Sequence, residues 1–251
     1  LRPGLTAVDL VRSIERAFSL PRLKAVALQI NSPGGSPVQS SLIFKRIRAM
    51  ADEKEIPVIA FTEDVAASGG YMLACAADEI YADESSVVGS IGVISAGFGF
   101  VELLEKIGVE RRVHTEGTSK SMLDPFQEEK PQDVKRLKEL QGEIYKSFTS
   151  IVKNRRGDKL KLPDNELFTG EFWTGQKSLE LGLIDGIGEL TTVMQERYSD
   201  RVQFRPISER KSWLKQRFAV LFSSRQPSFS GIASEVISVV EERAIWARFG
   251  L

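Results

Sequence analysis

The hydrophobic and polar positions of this chain follow two patterns in turn. Continuous apolar runs at residues 25–30 and 56–62 predict buried strands, and the second has the pattern of a strand covered on both faces. Apolar residues three or four positions apart predict amphipathic helices around these runs. The helices are expected at residues 6–18, 37–53, 101–107, 131–151 and 190–198. Strands that alternate with helices indicate an α/β fold.

Shorter elements are predicted in the middle of the chain. A short helix of small residues after Ser68 leads into a strand near residues 80–82. The segment 87–94 is predicted to be a strand or a bulged strand, and the segment 110–117 a strand that ends in a polar loop. No stretch of the sequence is long and apolar enough to predict a transmembrane helix.

The C-terminal part of the chain has a different composition. Residues 201–225 contain seven basic residues and one acid, Glu209. Their apolar side chains fall on one side of a predicted helix and their basic side chains on the other, so this helix either lies on an anionic membrane surface or packs against the protein. We therefore predict one domain over residues 1–200 and a basic, helical C-terminal extension over residues 201–251.

Composition excludes several classes of function. Thirty-four basic residues cancel thirty-four acidic ones, which argues against a general nucleic-acid-binding protein. The single cysteine, Cys75, excludes an internal disulfide and a multi-cysteine zinc site. The single histidine, His114, would have to serve any Ser-His-Asp relay and most metal sites. With one cysteine and one histidine we expect no metal, and without a glycine-rich phosphate-binding motif we expect no nucleotide cofactor.

The segment AASGGY, which contains Ser68, is the most informative local feature. A serine among alanines and glycines, after an apolar strand and before a helix, is typical of a strained turn that exposes a nucleophile. The amide of Gly69 would then face a developing oxyanion. A packing turn with an N-capping serine explains the same residues, since Ser, Gly and Ala are frequent in turns.

The segment INSPGGS follows the preceding strand. Its paired glycines allow backbone amides to approach a ligand closely, and the amide of Gly35 would be a second oxyanion donor beside the serine turn. A tight connection between strand and helix is the alternative explanation.

A nucleophilic serine needs a base, and the residues alone do not identify one. No spacing argument brings His114 near Ser68. The other base known in serine hydrolases is a lysine shielded from water. The pattern SxxK occurs three times on charged helices and is uninformative. Lys120 lies instead in a loop of small and polar residues after a predicted strand, where either a catalytic or a solvated lysine is reasonable.

Five segments occur in this order: INSPGGS, DVAASGGYMLACAADEIYAD, SSVVGSIGVI, SKSMLDPF and FWTGQKSLELGLIDGIG. Together they resemble the signal peptide peptidase A family, the Ser-Lys peptidases of the Clp protease/crotonase fold. The resemblance runs from about residue 5 to residue 198 and implies a fold of repeated β-β-α units. Relatives carry an initial strand, usually preceded by a membrane anchor, ahead of the position of Leu1, and we expect that strand to be missing here.

The resemblance implies roles for five residues. Ser68 matches the nucleophile of the family, and Lys120, 52 positions later, matches its general base. Ser90 matches the serine that hydrogen-bonds this lysine, and Gly35 and Gly69 match the oxyanion donors. The resemblance therefore favours the catalytic interpretation of Ser68 and Lys120 over the structural one.

The resemblance also implies substrates and partners. Members of the family form rings or domes in which a neighbouring protomer supplies the lysine, so we expect a homo-oligomer with a shared dyad. Extended apolar peptides, such as cleaved signal peptides at a membrane, are the expected substrates. Membrane association is expected on the same ground, with residues 207–225 as a further contact to the membrane surface.

Two alternatives differ in function. A crotonase-like acyl-CoA enzyme would use the same Gly35 and Gly69 amides, but it would need an acidic residue in the site rather than Ser68. A catalytically inactive oligomeric scaffold is disfavoured because every catalytic position is filled.

Overall fold

A six-stranded sheet forms the centre of the computed structural model, which describes residues 5–207, 244 and 246–250. The strands are β1 (Val26–Ser32), β2 (Val58–Ala67), β3 (Glu79–Ala82), β4 (Val87–Gly89), β5 (Phe172–Thr174) and β6 (Gly186–Ile187). The helices are α1 (Ala7–Phe18), α2 (Pro37–Lys54), α3 (Gly69–Ala74), α4 (Val101–Lys106), α5 (Pro131–Arg156), α6 (Asp164–Leu167), α7 (Gly175–Glu180) and α8 (Leu190–Tyr198), and a 3-10 turn follows α5 at Gly157–Lys159.

The long strand β2 organises the sheet. Strand β1 pairs in parallel with β2 along one edge, while β3 and β4 pair in parallel with the first and second parts of its other edge. Strand β6 continues the sheet beside β3, and β5 lies antiparallel to β4. Because β1, β2 and β4 run parallel, the residues that follow them meet at one edge of the sheet.

The apolar run that became β2 is buried from both sides. Its residues Val58, Ile59 and Ala60 are fully buried. Val58 and Ala60 belong to the main core, which includes α2, whereas Ile59 packs in a smaller cluster with Met194 of α8. The predicted α/β class and the coverage of this strand on both faces are therefore confirmed.

Helix boundaries follow the local signals closely. Pro37 occupies the first turn of α2, where its missing N–H costs nothing, and the Ser36 hydroxyl accepts a hydrogen bond from the Gln39 amide. Thr6 caps α1 by accepting from the Asp9 amide. The predicted helices at residues 101–107, 131–151 and 190–198 are also present, with α5 extending to Arg156.

Two strand predictions are wrong or too long. Residues 110–117 form no strand; this segment is mostly exposed and lies outside the sheet. Strand β4 ends at Gly89 rather than near residue 94, because Gly89 and Ser90 have φ angles of 117° and 52° that turn the chain out of the sheet. Residues that favour strands form one only where a neighbouring strand is available to pair with them.

The C-terminal predictions fall largely outside the described residues. Within 201–251, the structure describes 201–207, 244 and 246–250, so the basic helix predicted over 207–225 lies beyond them except for its first residue. Among the helices that the structure describes, none combines the length and apolar character required to cross a membrane.

A buried ion pair ties α5 to the sheet. The guanidinium of Arg156, 2% exposed, donates to Asp185 at 2.7 Å, and Lys159 and the Ile80 amide donate to the same carboxylate. Burial alone would raise the pKa of Asp185, but the hydrogen bonds from Arg156 and Lys159 outweigh it and hold the pKa below its ordinary value.

We expect stability to depend on this carboxylate below about pH 4, the ordinary titration range of an aspartate. A depressed pKa stabilises the folded state above the unfolded-state value, and this contribution is lost as the pH falls through the folded-state value. Asp185→Asn should lower the free energy of unfolding by about 3 kcal/mol at neutral pH, because Arg156 is left buried without its partner. Urea denaturation from pH 7 to pH 3 measures both effects.

Asp164 provides the matched control. Its pair with Lys153 is at least half exposed on both sides, so Asp164→Asn should change stability by less than about 1 kcal/mol. Equal losses in the two variants would contradict the importance assigned to the buried pair.

Candidate active site

Ser68 occupies a strained turn between β2 and α3. Its φ and ψ angles are 52° and −120°, a conformation that residues with a side chain rarely adopt. Its amide donates to the carbonyl oxygen of Gly89 at 2.9 Å, which holds the turn against β4. The hydroxyl makes no capping hydrogen bond to α3. The alternative of an N-capping serine is therefore wrong, and the hydroxyl is left available at a partly exposed position.

The residues around Ser68 are small because the backbone segments approach each other closely. A Cβ at Gly70 would lie 2.5 Å from the carbonyl oxygen of Ser32, and one at Gly34 would lie 2.8 Å from the Cβ of Ser68. Both contacts are too short for any side chain. The glycines of the two motifs thus allow the end of β1 to pack directly against the serine turn.

This close packing brings together the two predicted oxyanion donors. The amide nitrogen of Gly35 lies 3.3 Å from the position that a Cβ of Gly69 would occupy. Gly69 is buried, whereas Gly35 is exposed at the beginning of the connection to α2. The amides of residues 35 and 69 therefore lie on neighbouring backbone segments beside Ser68.

Ser90 lies next to the same turn because of strand pairing. Ala67 is the register partner of Gly89, so Ser68 and Ser90 directly follow neighbouring positions of β2 and β4. Adjacent strands are about 4.8 Å apart. The Ser90 amide donates to the carbonyl oxygen of Glu171 at 2.6 Å, which fixes this residue on its far side.

Lys120 lies on a long excursion from the sheet, residues 92–130, which we call the arm. The arm is held by its own contacts: the Phe100 amide donates to the carbonyl oxygen of Pro125 at 2.7 Å, and Arg111 binds Asp124 at 2.8 Å. The hydrogen bonds from Arg111 lower the pKa of Asp124. The arm is thus an ordered substructure rather than part of the sheet.

The structure does not join Lys120 to the other four predicted residues. Lys120 is exposed in a turn of the arm, and none of the side-chain hydrogen bonds among the described residues connects it to Ser68 or Ser90. The chain therefore brings four of the five predicted residues together: Gly35, Ser68, Gly69 and Ser90. Lys120 takes no part in the hydrogen bonds and close contacts described for these four residues.

Other chemistries find little support in the described part of the chain. His114 is exposed on the arm. Cys75 is buried, and burial raises the pKa of its thiol to about 12, which makes it unreactive at neutral pH. Within residues 5–207, 244 and 246–250, no three side chains of His, Cys, Asp or Glu cluster as metal ligands would.

Sequence reasoning missed two residues that shape the site. A Cβ at Gly34 would lie 2.8 Å from the Cβ of Ser68, although of the paired glycines in PGGS only Gly35 was given a role from the sequence. Tyr71, fully buried in α3, donates its hydroxyl to the carbonyl oxygen of Leu183 at 2.8 Å and so anchors the helix that follows the serine. A lone tyrosine among small residues in AASGGYMLA was the only available signal for this anchor.

Comparison with known proteins gives a consistent family match. The sequence model of Peptidase family S49 matches residues 50–203, which include Ser68, Gly69, Ser90 and Lys120. The chain is 32% identical over 195 residues to "Serine protease SPPA, chloroplastic" of Arabidopsis thaliana, covering 75% of this chain and 28% of that protein. It is 35% identical over 167 residues to "Putative signal peptide peptidase SppA" of Enterococcus faecium, covering 66% and 48%.

A relative with a different printed name aligns with the whole chain. "Na(+)/H(+) antiporter NhaA" of Brucella melitensis is 50% identical over 257 aligned positions, covering 100% of this chain and 35% of that protein. The chain thus spans between 28% and 48% of the length of these relatives.

Proposed function

Since this chain belongs to the signal peptide peptidase A family, Peptidase family S49, with its Clp protease/crotonase-like fold, we propose that it is a serine endopeptidase with a Ser68–Lys120 dyad. The observation that carries this proposal is the strained turn at Ser68, with the amides of Gly35 and Gly69 beside it and an uncapped hydroxyl. A serine in such a turn is presented to a substrate, and two neighbouring amides suit an oxyanion.

The proposed reaction follows from these positions. The neutral amine of Lys120, oriented by Ser90, accepts the proton of the Ser68 hydroxyl, and the hydroxyl oxygen attacks the carbonyl carbon of a peptide bond. The Gly35 and Gly69 amides donate to the oxyanion, an effect worth ~3–4 kcal/mol per donor. The protonated lysine passes its proton to the leaving amine, and the neutral lysine then activates water to hydrolyse the acyl-enzyme.

Lys120 of one protomer serves Ser68 of its neighbour in this proposal. A lysine is a base only when neutral, and burial away from water favours that form. Lys120 is exposed in the single chain. A neighbouring protomer that covers the arm would supply the missing shield, so the exposed position supports a homo-oligomer, a ring or a dome, in which the dyad is shared.

The proposed substrates are extended apolar peptides, including cleaved signal peptides, at a membrane. The support is the family and the printed name of the relative from Enterococcus faecium. The basic segment 207–225 would hold the enzyme at an anionic membrane surface.

A fluorophosphonate probe tests the nucleophile directly. We expect the assembled protein to be labelled at one serine, Ser68, and Ser68→Ala to lose at least about nine-tenths of the label because the attacking oxygen is gone. Intact mass and peptide mapping identify the modified residue.

Ser85→Ala is the matched control, since Ser85 is an exposed serine near the end of the same sheet. Unchanged labelling of Ser68→Ala, or labelling spread over several serines, would contradict the proposal. An acyl-CoA enzyme or an inactive scaffold would show no labelling above that of denatured protein.

A further inference from the structure

A buried hydroxyl lies beside the two predicted oxyanion donors. Ser40, near the beginning of α2, is 7% exposed, and its hydroxyl oxygen lies 2.5 Å from the position that a Cβ of Gly69 would occupy. The amide nitrogen of Gly35 lies 3.3 Å from the same position. The hydroxyl oxygen and the amide nitrogen therefore approach Gly69 at one place, next to the turn of Ser68.

The direction of this contact points to the place where a substrate oxygen would lie. Gly69 is the first residue of α3, and the amides of a first helical turn point out of its N-terminal end. The Cα–Cβ direction in a helix tilts toward the same end. A group that touches the Cβ position of Gly69 thus lies beside the acceptor that the Gly69 amide would bind. In the proposed reaction, that acceptor is the oxyanion.

The packing of α2 does not require a hydroxyl at this position. The buried side chains of the helix are Ser40, Ile43, Ile47, Met50 and Ala51. Ser40 therefore begins a row that is otherwise apolar. A buried hydroxyl costs free energy unless it forms hydrogen bonds, and an alanine would fit a helix without that cost. The hydroxyl of Ser40 thus needs an explanation other than packing.

Hydrogen bonding within α2 does not supply that explanation. Helical serines often donate to the carbonyl oxygen of the residue four positions earlier, as Ser150 of α5 does to Lys146 at 2.7 Å. The Ser40 amide donates to the carbonyl oxygen of Ser36 at 3.0 Å, but across the part of the chain that the structure describes no hydrogen bond involves the Ser40 hydroxyl. This hydroxyl is therefore available to a bound substrate.

We propose that the Ser40 hydroxyl is a third oxyanion donor, which acts together with the amides of Gly35 and Gly69. This inference rests on the proposed function, because the oxyanion forms only when Ser68 attacks a peptide carbonyl. The hydroxyl donates a hydrogen bond to the carbonyl oxygen as negative charge develops there, and it keeps its own proton throughout. Side-chain hydroxyls serve as oxyanion donors in other enzymes, and a donor shielded from water acts more strongly than a solvated one.

Ser40→Ala tests the donor, because it removes the hydroxyl and keeps a small side chain in the helix. A donor to the transition state contributes to kcat rather than to KM. We therefore expect kcat for an apolar peptide to fall about a hundredfold and KM to change by less than about threefold. A peptide boronate, whose adduct with Ser68 is tetrahedral, should lose affinity in proportion to kcat/KM, whereas a product peptide should bind equally well.

Ser41→Ala is the matched control. Ser41 is the next residue of the same helix and is partly buried, but it lies on a different side, since adjacent helical residues do not share a face. Its substitution should leave kcat, KM and the affinity for the boronate unchanged. Equal losses in the two variants, an unchanged kcat in Ser40→Ala, or a loss that appears in KM alone would overturn the proposal.

The fluorophosphonate probe separates this inference from the proposed function. The phosphonyl oxygen of the adduct occupies the oxyanion site, so Ser40→Ala should be labelled at Ser68 at least about tenfold more slowly, but to the same final extent. Equal labelling rates in Ser40→Ala and the unsubstituted protein would overturn the role of Ser40 and leave Ser68 as the nucleophile.

Two other labelling results have different meanings. A lower final extent of labelling at an unchanged rate would mean that Ser40 supports the folded site without binding the oxyanion, and it would also overturn the proposal. An absence of labelling in the unsubstituted protein would contradict both the role of Ser40 and the proposed peptidase.

Discussion

Ser68→Ala and Lys120→Ala are each expected to abolish peptide hydrolysis, and the double variant should lose no more than either single variant. The two groups act on one proton, so removing either one removes the same step. The expected loss is about six orders of magnitude in kcat, as is typical when a member of a serine-peptidase catalytic unit is removed. Cleavage of an apolar peptide with a fluorescence readout measures all three variants at a fixed protein concentration.

Lys130→Ala is the control for the lysine, because Lys130 is exposed at the end of the same arm. It should retain nearly full activity. If Lys120→Ala kept substantial activity while Ser68→Ala had none, a different base would act on Ser68. If the two losses multiplied in the double variant, Ser68 and Lys120 would act in separate steps.

The second large effect concerns two inactive variants mixed together. When Ser68→Ala and Lys120→Ala protomers co-assemble, some sites contain an intact Ser68 from one chain and an intact Lys120 from its neighbour. Random assembly with a shared dyad should restore about a quarter of the activity, since each site needs the correct variant on both sides. The measurement is the rate of peptide cleavage after subunit exchange, compared with the unmixed variants.

The control mixture combines Ser68→Ala with the double variant, in which no arrangement supplies an intact Ser68. It should remain inactive. An absence of recovery in the first mixture, with exchange confirmed by labelled subunits, would mean that each chain uses its own Lys120. The proposed nucleophile would survive that result, but the shared dyad would not.

Local sequence patterns predicted one part of the candidate site, the turn at Ser68, but not another, the proximity of Ser90. The turn at Ser68 was visible in AASGGY, because small residues on both sides of a serine are a local requirement of close backbone packing. The proximity of Ser90 was not available from local patterns. It arises because Ala67 of β2 pairs with Gly89 of β4, and these two strands are separated along the chain. Only the family resemblance pointed to Ser90 beforehand.

The strand predicted at residues 110–117 is wrong for the same reason: whether a segment forms a strand depends on a pairing partner that is distant along the chain. The β-branched residues Val113 and Thr115 favour a strand, but backbone hydrogen bonds require a neighbouring strand, and this segment belongs to the arm instead. The helices were predicted well because their hydrogen bonds and caps are formed within a few residues. Pro37 and Ser36 identify the start of α2 without reference to anything distant.

The sequence by itself determined the local features of this protein: the α/β alternation, the helix starts, and glycines where two backbones must touch. Hydrogen bonds and steric limits between residues close in the chain are sufficient for these. Only the tertiary structure decided which segments became neighbours: the pairing of β2 with β4 that brings Ser90 to Ser68, and the folding of the arm that leaves Lys120 in solvent. Those outcomes depend on contacts between residues far apart in sequence, whose energies no local pattern contains.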